Sequence, residues 1–249
     1  MPYLIRRRVA GRRYPKRKIL RKPRPSMAMR QVRRLIPTNT IKLVRKGITA
    51  HVYNNAAGTD FATNSTWLTI GAKSAVQSTM PNYYNLPFSA TFRVGDVYNW
   101  IELQPIAEKF KLNYVKIYCY ATSTTAAVNG LGLCPTVLWD EKGVDDDTVP
   151  TYSAFKEQMG IKRKFLAQGK VAVMKPKLCV LANVLSGTAG VNSVRVQKPV
   201  WLDTNSVSAT TEHYGLNGVF EDLFLGPQAS SAYDIKFDIE YGFSLRNVK

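Results

Sequence analysis

The first 59 residues contain no aspartate or glutamate, and the earliest acidic side chain is Asp60. Histidine is nearly as scarce, with only His51 and His213 in 249 residues. Cys119, Cys134 and Cys179 are an odd number of cysteines with no C-x-x-C pair among them, and neither histidine has a cysteine at ligand spacing. That excludes a zinc finger and predicts no metal site. Each cysteine stands beside apolar residues, which predicts core thiols in a chain that folds under reducing conditions. No window approaches the 18 consecutive apolar residues of a membrane-spanning helix, so membrane insertion is not expected. Where a secretory signal needs an apolar stretch, the N-terminus offers arginine. Met1–Pro25 has no serine and carries prolines at 2, 15, 23 and 25, which argues against an amphipathic, serine-rich transit peptide.

Motifs of catalysis are missing too. There is no G-x-S-x-G elbow, no G-x-x-x-x-G-K-[ST] loop and no G-x-G-x-x-G opening a helix. His213 follows Glu212 and is the one candidate general base, but a loop or edge histidine packed near Tyr214 is the simpler expectation. Asp145, Asp146 and Asp147 in "DEKGVDDDTVP" lack the alternating spacing of a calcium loop, so a solvated loop is expected. Asn64-Ser65-Thr66 is a formal glycosylation sequon. The sequence therefore predicts no enzyme, no catalytic residue and no cofactor.

What is present is positive charge, and it is unevenly placed. The formal net charge is +18 with a pI near 9.9. Seventeen basic residues lie in Met1–Lys46, whereas the chain from Asp60 onward has 18 basic and 17 acidic ones. This asymmetry divides the chain into an arm, 1–46, and an electrically ordinary domain, 47–249, and it points to a polyanion as the arm's partner. The arm holds 12 arginines and 5 lysines with Tyr3 and Tyr14 among them. Arginine grips phosphate with a planar fork, and arginine and tyrosine both stack on unpaired bases, so the pattern suits sequence-indifferent binding of a single strand. The candidate nucleic-acid-binding residues are Arg6, Arg7, Arg8, Arg12, Arg13, Lys16, Arg17, Lys18, Arg21, Lys22, Arg24, Arg30, Arg33 and Arg34. "RRRVAGRRYPKRK" and "KRKILRKPRP", from Arg6 to Lys22 in their basic positions, also have the composition of nuclear-import clusters read by an import receptor. Repeated like charge and proline predict that Met1–Pro25 is largely irregular, and Ser26–Ile36 has the composition of a short basic helix. Within the domain, Lys162, Arg163 and Lys164 form a second basic cluster, read as a solvated edge or as a patch for nucleic acid or a surface glycosaminoglycan.

From Gly47 the texture changes to short β-like runs separated by Gly, Asn, Thr, Ser and Pro. Candidate strands are 48–53, 66–70, 88–94, 113–122, 134–139, 170–174, 177–185, 193–202 and 233–245. In the last of these, Ile235, Phe237, Ile239, Tyr241 and Phe243 alternate with Lys236, Asp238, Glu240, Gly242 and Ser244. A period of two means one buried and one wet face. One helical region is predicted over 94–110, with Asp96 as N-cap and Val97, Trp100 and Ile101 as its apolar face. Segments 71–87, 140–160 and 203–232 read as long connections. The fold class is all-β: a single jelly-roll sandwich of eight strands in two antiparallel sheets, preceded by the basic arm.

"FSATFRVGDVYNWIELQPIAEKFKLNYVKIYCYA", the acidic "WDEKGVDDDTVPTYSAF", the basic "KRKFLAQGKVAVMKPKL", "KPVWLDT" and "HYGL" follow one another in the order seen in circovirus and cyclovirus capsid proteins, which this chain resembles over about residues 86–246. The arm departs from that pattern in carrying Lys, Leu and Ile among its arginines. The resemblance implies a structural protein that self-assembles into a T=1 virion shell of 60 copies around circular single-stranded DNA. It also implies an interior-facing arm that doubles as a nuclear address, so that assembly takes place in the host nucleus, and exterior loops that attach to host glycosaminoglycans. Sixty arms of this charge carry on the order of a thousand cations, enough to neutralise a comparable number of phosphates. An extended 46-residue arm spans roughly 150 Å. The reading from a different class is a monomeric basic nucleic-acid-binding module with a β-sandwich core, of ribosomal or shuttle type.

Overall fold

The computed structural model describes residues 40–248, apart from 56, 58, 77–81, 122–134, 143–148, 158–159, 168–169, 187–189 and 226–233. The arm residues before Thr40, Cys134 and Asp145–Asp147 lie outside the described residues.

The strands in chain order are β1 (Thr40–Lys46), β2 (Ala50–Asn54), β3 (Phe61–Thr63), β4 (Leu68–Ile70), β5 (Ser74–Ala75), β6 (Tyr83–Phe92), β7 (Ala107–Ala121), β8 (Thr136–Asp140), β9 (Lys162–Phe165), β10 (Ala172–Met174), β11 (Val180–Ser186), β12 (Gly190–Val196), β13 (Leu202–Asp203), β14 (His213–Phe224) and β15 (Asp234–Val248). They form a seven-stranded sheet in the order β10-β7-β15-β2-β3, with β1 on β15 and β13 on β7, and a six-stranded sheet in the order β4-β6-β14-β8-β9, with β5 on β6. β11 and β12 make a separate two-stranded ribbon. Counting β2, β6, β7, β8, β9, β10, β14 and β15 as strands one to eight, the sheets read 6-3-8-1 and 2-7-4-5. All these pairings are antiparallel. That double Greek-key order is the jelly roll the sequence predicts.

The core lies between the two sheets. Ile235, Phe237, Ile239, Tyr241, Phe243 and Leu245 of β15 face it together with Phe110, Leu112, Val115, Ile117 and Cys119 of β7. From the other sheet come Leu86, Phe88, Ala90 and Phe92 of β6 and Phe220 and Leu223 of β14. Phe88, Phe220 and Phe237 form a ring cluster across the sandwich, with centroids 4.9 Å apart for the stacked Phe88–Phe220 pair and 5.8 Å for each contact with Phe237. Cys119 and Cys179 are buried, as their apolar neighbours predict.

Three features differ from the sequence reading. First, residues 40–46, assigned to the arm on charge alone, are β1, paired residue for residue with Arg246 back to Glu240. β1 and β2 run along the same edge of β15 and are separated at Gly47, where a Cβ would collide with the Tyr241 ring. The described fold therefore already includes residues 40–46, ahead of Gly47. Second, β14 runs through the middle of the segment read as a 203–232 connection and is a central strand between β6 and β8. Its glycines hide it, and Gly218 is required by packing: a Cβ there would strike the Phe88 ring and lie 2.7 Å from the Leu138 carbonyl oxygen. Third, the helix predicted over 94–110 is only a turn, α1 (Trp100–Leu103), between two 3-10 turns at Val94–Asp96 and Gln104–Ile106. Asp96 does not cap it; Asn99 occupies the N-cap in the left-handed region with no side-chain capping bond. Val97 and Trp100 are buried as expected, but Ile101 is 83% exposed because β7 begins at Ala107, before a second helical turn can form.

A chain starting at Pro37 is expected to fold with an unchanged thermal midpoint. A chain starting at Gly47 loses the β1 pairing and the partly buried Leu43, and about 2 kcal/mol of lost stability would lower Tm by roughly 4–8 °C. Equal midpoints for the two truncations in calorimetry would show that β1 contributes nothing. Gly218→Ala is expected to destabilise by about 2 kcal/mol or more, since Phe88 and the β8 backbone must both move; denaturant titration reads this directly.

Candidate nucleic-acid and anion interface

The arm residues Arg6 to Arg34, including the nuclear-import clusters, lie outside the described residues. The described part of the basic N-terminal segment is β1, where Lys42, Arg45 and Lys46 are exposed.

The predicted Lys162–Arg163–Lys164 cluster is β9, an edge strand with all four residues exposed. Charged residues on an edge strand also discourage edge-to-edge pairing. Strand alternation sends these cations to two sides. Lys162 and Lys164 sit opposite Trp139 and Val137, and Arg163 sits opposite Leu138. Two of the three are ion-paired: Lys162 Nζ is 2.6 Å from Glu141 Oε2, and an Arg163 guanidinium nitrogen is 3.5 Å from Glu221 Oε2. Burial alone would raise the Glu141 carboxyl. Hydrogen bonds from Lys162, the Lys175 backbone N–H and the Trp139 indole outweigh it and hold the pKa below the ordinary value. Glu221 also meets Lys156 at 3.5 Å and accepts from the Tyr152 hydroxyl at 2.8 Å. β9 is thus a partly neutralised edge, divided between two faces, rather than one convergent patch.

A denser arrangement of cations, which the sequence reading missed, lies on the outer face of the seven-stranded sheet. Leu245 and Phe243 point into the core, so Arg246 and Ser244 point outward, and their cross-strand partners share that face. One row is Thr40, Arg246 and Lys109; the next is Lys42, Ser244 and Lys111. Trp201, half-buried after the β11–β12 ribbon, gathers two of these charges, with Lys111 Nζ 4.9 Å and the Arg246 guanidinium 5.8 Å from its ring centroid. Asp203 is 4.0 Å from Lys109. Asn113, an extra residue in β7 where the pairing with β15 shifts register, donates to Ser244 Oγ at 2.8 Å. It also lines a cleft of about 390 Å³ with Lys142, Pro176, Lys177, Leu178, Gln197 and Pro199. The sequence signal for this face was the alternation of Lys109 and Lys111 on a strand whose intervening Phe110 is apolar.

His213 does not sit on a loop or an edge. It opens the central strand β14, is 2% exposed, and its Nδ1 lies 3.2 Å from the Phe92 carbonyl oxygen and 3.1 Å from that of Thr211. Carbonyls only accept, so Nδ1 carries the proton. Burial lowers the histidine pKa and overrides these two bonds, which act to raise it. Glu212 points to other partners: the Tyr214 hydroxyl at 2.5 Å and Arg93. The Tyr214 bond is the largest influence lowering its pKa, against an opposing effect of burial. His213 is therefore a structural residue. Among the described residues, no three or more His, Cys, Asp or Glu side chains converge as a metal site, and no helix is long and apolar enough to cross a membrane.

The His213 arrangement fixes a pH response. A base whose folded pKa is depressed contributes stability above its unfolded value and loses it as pH falls below about 6.5. Tm is expected to decline between pH 7 and pH 5.5, and His213→Gln should flatten that window. The acid-side decline caused by Glu212 and Asp238, whose pKa values are lowered, should remain in the variant. An unchanged slope between pH 7 and 5.5 in the variant would remove His213 from this account.

No protein-family model and no curated protein sequence matches the chain. Among solved structures it is similar to the crystal structure of the 60-mer capsid protein of beak and feather disease virus (BFDV), at 12% sequence identity and a TM-score of 0.54 over 84% of this chain and 94% of that one. It is also similar to the decameric form of the BFDV capsid protein, at 13% identity and a TM-score of 0.49 over 84% and 100%. At this identity the likeness is one of architecture, and the domain has the fold of a circovirus-like capsid protein.

Proposed function

We propose that this protein is the structural subunit of a small icosahedral shell, T=1 with 60 copies, that encloses circular single-stranded DNA. The observation that carries the reading is a division of labour along the chain. A jelly roll of capsid type, described from Thr40, carries charges of both signs, whereas 14 of the 35 basic residues and no acidic one precede it. The domain builds the wall through heterologous contacts that close by symmetry. The segment 1–39, with Arg6–Arg34 as its binding residues, condenses the genome by neutralising phosphate. Sixty such segments bring roughly 800 cations to the polyanion. Before assembly the clusters from Arg6 to Lys22 serve as the address read by a nuclear import receptor. On the outside of the shell, β9 with Lys162, Arg163 and Lys164 is the candidate contact for host glycosaminoglycan. The protein acts without catalytic turnover.

The full-length protein, mixed with circular single-stranded DNA at low salt, is expected to form closed particles by electron microscopy and to protect that DNA from nuclease. With about ten arm cations on phosphate at once, log K for a single strand should fall against log[salt] with a slope of about −7. Persistence as a 27.9 kDa monomer with DNA bound would favour the monomeric module instead. A salt-independent affinity would sink the electrostatic account.

A further inference from the structure

The outer face of the seven-stranded sheet carries features that neither shell-building nor an arm requires. Thr40, Lys42, Lys109, Lys111, Ser244 and Arg246 form two adjoining cross-strand rows on it. Successive outward residues on a strand are about 6.8 Å apart, a step comparable with that between neighbouring phosphates in an extended single strand. Trp201 lies against both Lys111 and Arg246 and so holds them on the surface instead of leaving them free to sweep. Beyond Ser244, Asn113 leads into the cleft of about 390 Å³, whose walls combine Pro176, Leu178 and Pro199 with the amides of Asn113 and Gln197 and the ammonium groups of Lys142 and Lys177. That volume falls in the range of small-ligand sites, and its lining is the usual mixture of apolar walls and a few polar groups. The only carboxylate paired with these rows among the described residues is Asp203, at 4.0 Å from Lys109.

We propose that this face is a single-strand nucleic-acid track on the folded domain itself, with Lys42, Lys111 and Arg246 taking phosphates and the cleft taking a base. The base would lie against Pro176 and Pro199, its edge read by the amides of Asn113 and Gln197, while Lys142 and Lys177 hold the flanking phosphate. Rings stacked on apolar walls and phosphates on fixed cations give binding with little preference among bases. The proposal rests on the packaging reading and refines it. β1 starts on this face at Thr40, opposite Arg246, so the basic segment and the track are joined in one chain without an acidic residue between them.

The test uses the full-length chain and a thymidine oligonucleotide carrying 5-iododeoxyuridine. Photocrosslinking of the wild-type protein is expected to give adducts on peptides containing Trp201 or Lys177 as well as on the basic segment. The Lys42→Gln/Lys111→Gln/Arg246→Gln variant, whose changes are all at surface positions, should bind the oligonucleotide roughly tenfold more weakly at moderate salt. Its salt slope should be shallower by about two, the loss of three phosphate contacts at about 0.7 each. Trp67, Trp100 and Trp139 are buried, so quenching of tryptophan emission by the oligonucleotide should come from Trp201 and disappear in Trp201→Phe. Adducts confined to residues 1–39 with an unchanged slope would overturn the track and leave the arm reading standing. No oligonucleotide binding by the full chain would overturn both. Variants that lose heparin binding but keep the oligonucleotide slope would assign the face to a sulfated polysaccharide and overturn the proposal.

Discussion

Everything in this domain is hung on one strand. β15 pairs with β7 on one side and with β2 and then β1 on the other. Its six inward residues from Ile235 to Leu245 reach across to Trp67, Phe88 and Phe220 and help build the same core. Because the side-chain period is two, a slip by one residue would bury Lys236, Asp238 and Glu240 and expose the whole aromatic row. The outer face resists such a slip independently. Tyr120 donates to Asp238 at 2.7 Å, Lys236 pairs with the same carboxylate at 3.4 Å, and Glu240 accepts from Tyr114 and Lys116 at 3.2 Å each. Burial would raise the Asp238 pKa, but its bonds with Tyr120, Lys236 and Thr49 outweigh that and keep the pKa low. Individually such partly exposed pairs are worth little. The cross-strand ones, Tyr120–Asp238 and Glu240 with Tyr114 and Lys116, are correct in only one register.

This constraint explains what the sequence could tell. β15 was readable because its two faces differ in every residue from Ile235 to Ser244, apart from Gly242. β14 is as central but was unreadable, because its neighbours dictate residues that local propensity would reject. Gly218 makes room for the Phe88 ring, and Asn217 and Glu221 are polar groups held in a buried strand. Asp222 sits at φ 62°, where the pairing with β6 shifts register between Phe220 and Leu223. Propensity describes a strand that packs only against its own side chains; β14 packs against the close approach of two other strands. β1 was hidden for a different reason. Its fold signal, Ile41-x-Leu43, is short, and the charge of Lys42, Arg45 and Lys46 continues the run before it. Charge marks what a segment binds, whereas pairing marks where it folds, and at residues 40–46 the two disagree.

The candidate binding surfaces were legible to different depths. The Arg6–Arg34 cluster follows from composition alone, since uncompensated like charge on proline-broken chain has few uses other than a polyanion. The β9 cluster looked equally basic in sequence, yet Glu141 and Glu221 come to it from 21 and 58 residues away and take up two of its charges. The Trp201 face shows the reverse. Lys42, Lys111 and Arg246 are scattered over more than 200 residues, and only the antiparallel register of β1, β15 and β7 makes them neighbours.

That same register bears on how a cationic protein could build a wall. At physiological ionic strength charges interact over about 8 Å, the scale of a subunit contact. Copies that carried their excess charge evenly would repel wherever they met. Here charges on both sheets form local pairs such as Lys116–Glu240 and Arg163–Glu221. Residues 1–39 carry 14 basic and no acidic side chains, and further cations stand in the rows at the β1 end of the seven-stranded sheet. A polyanion bound along these cations would lower that repulsion between copies.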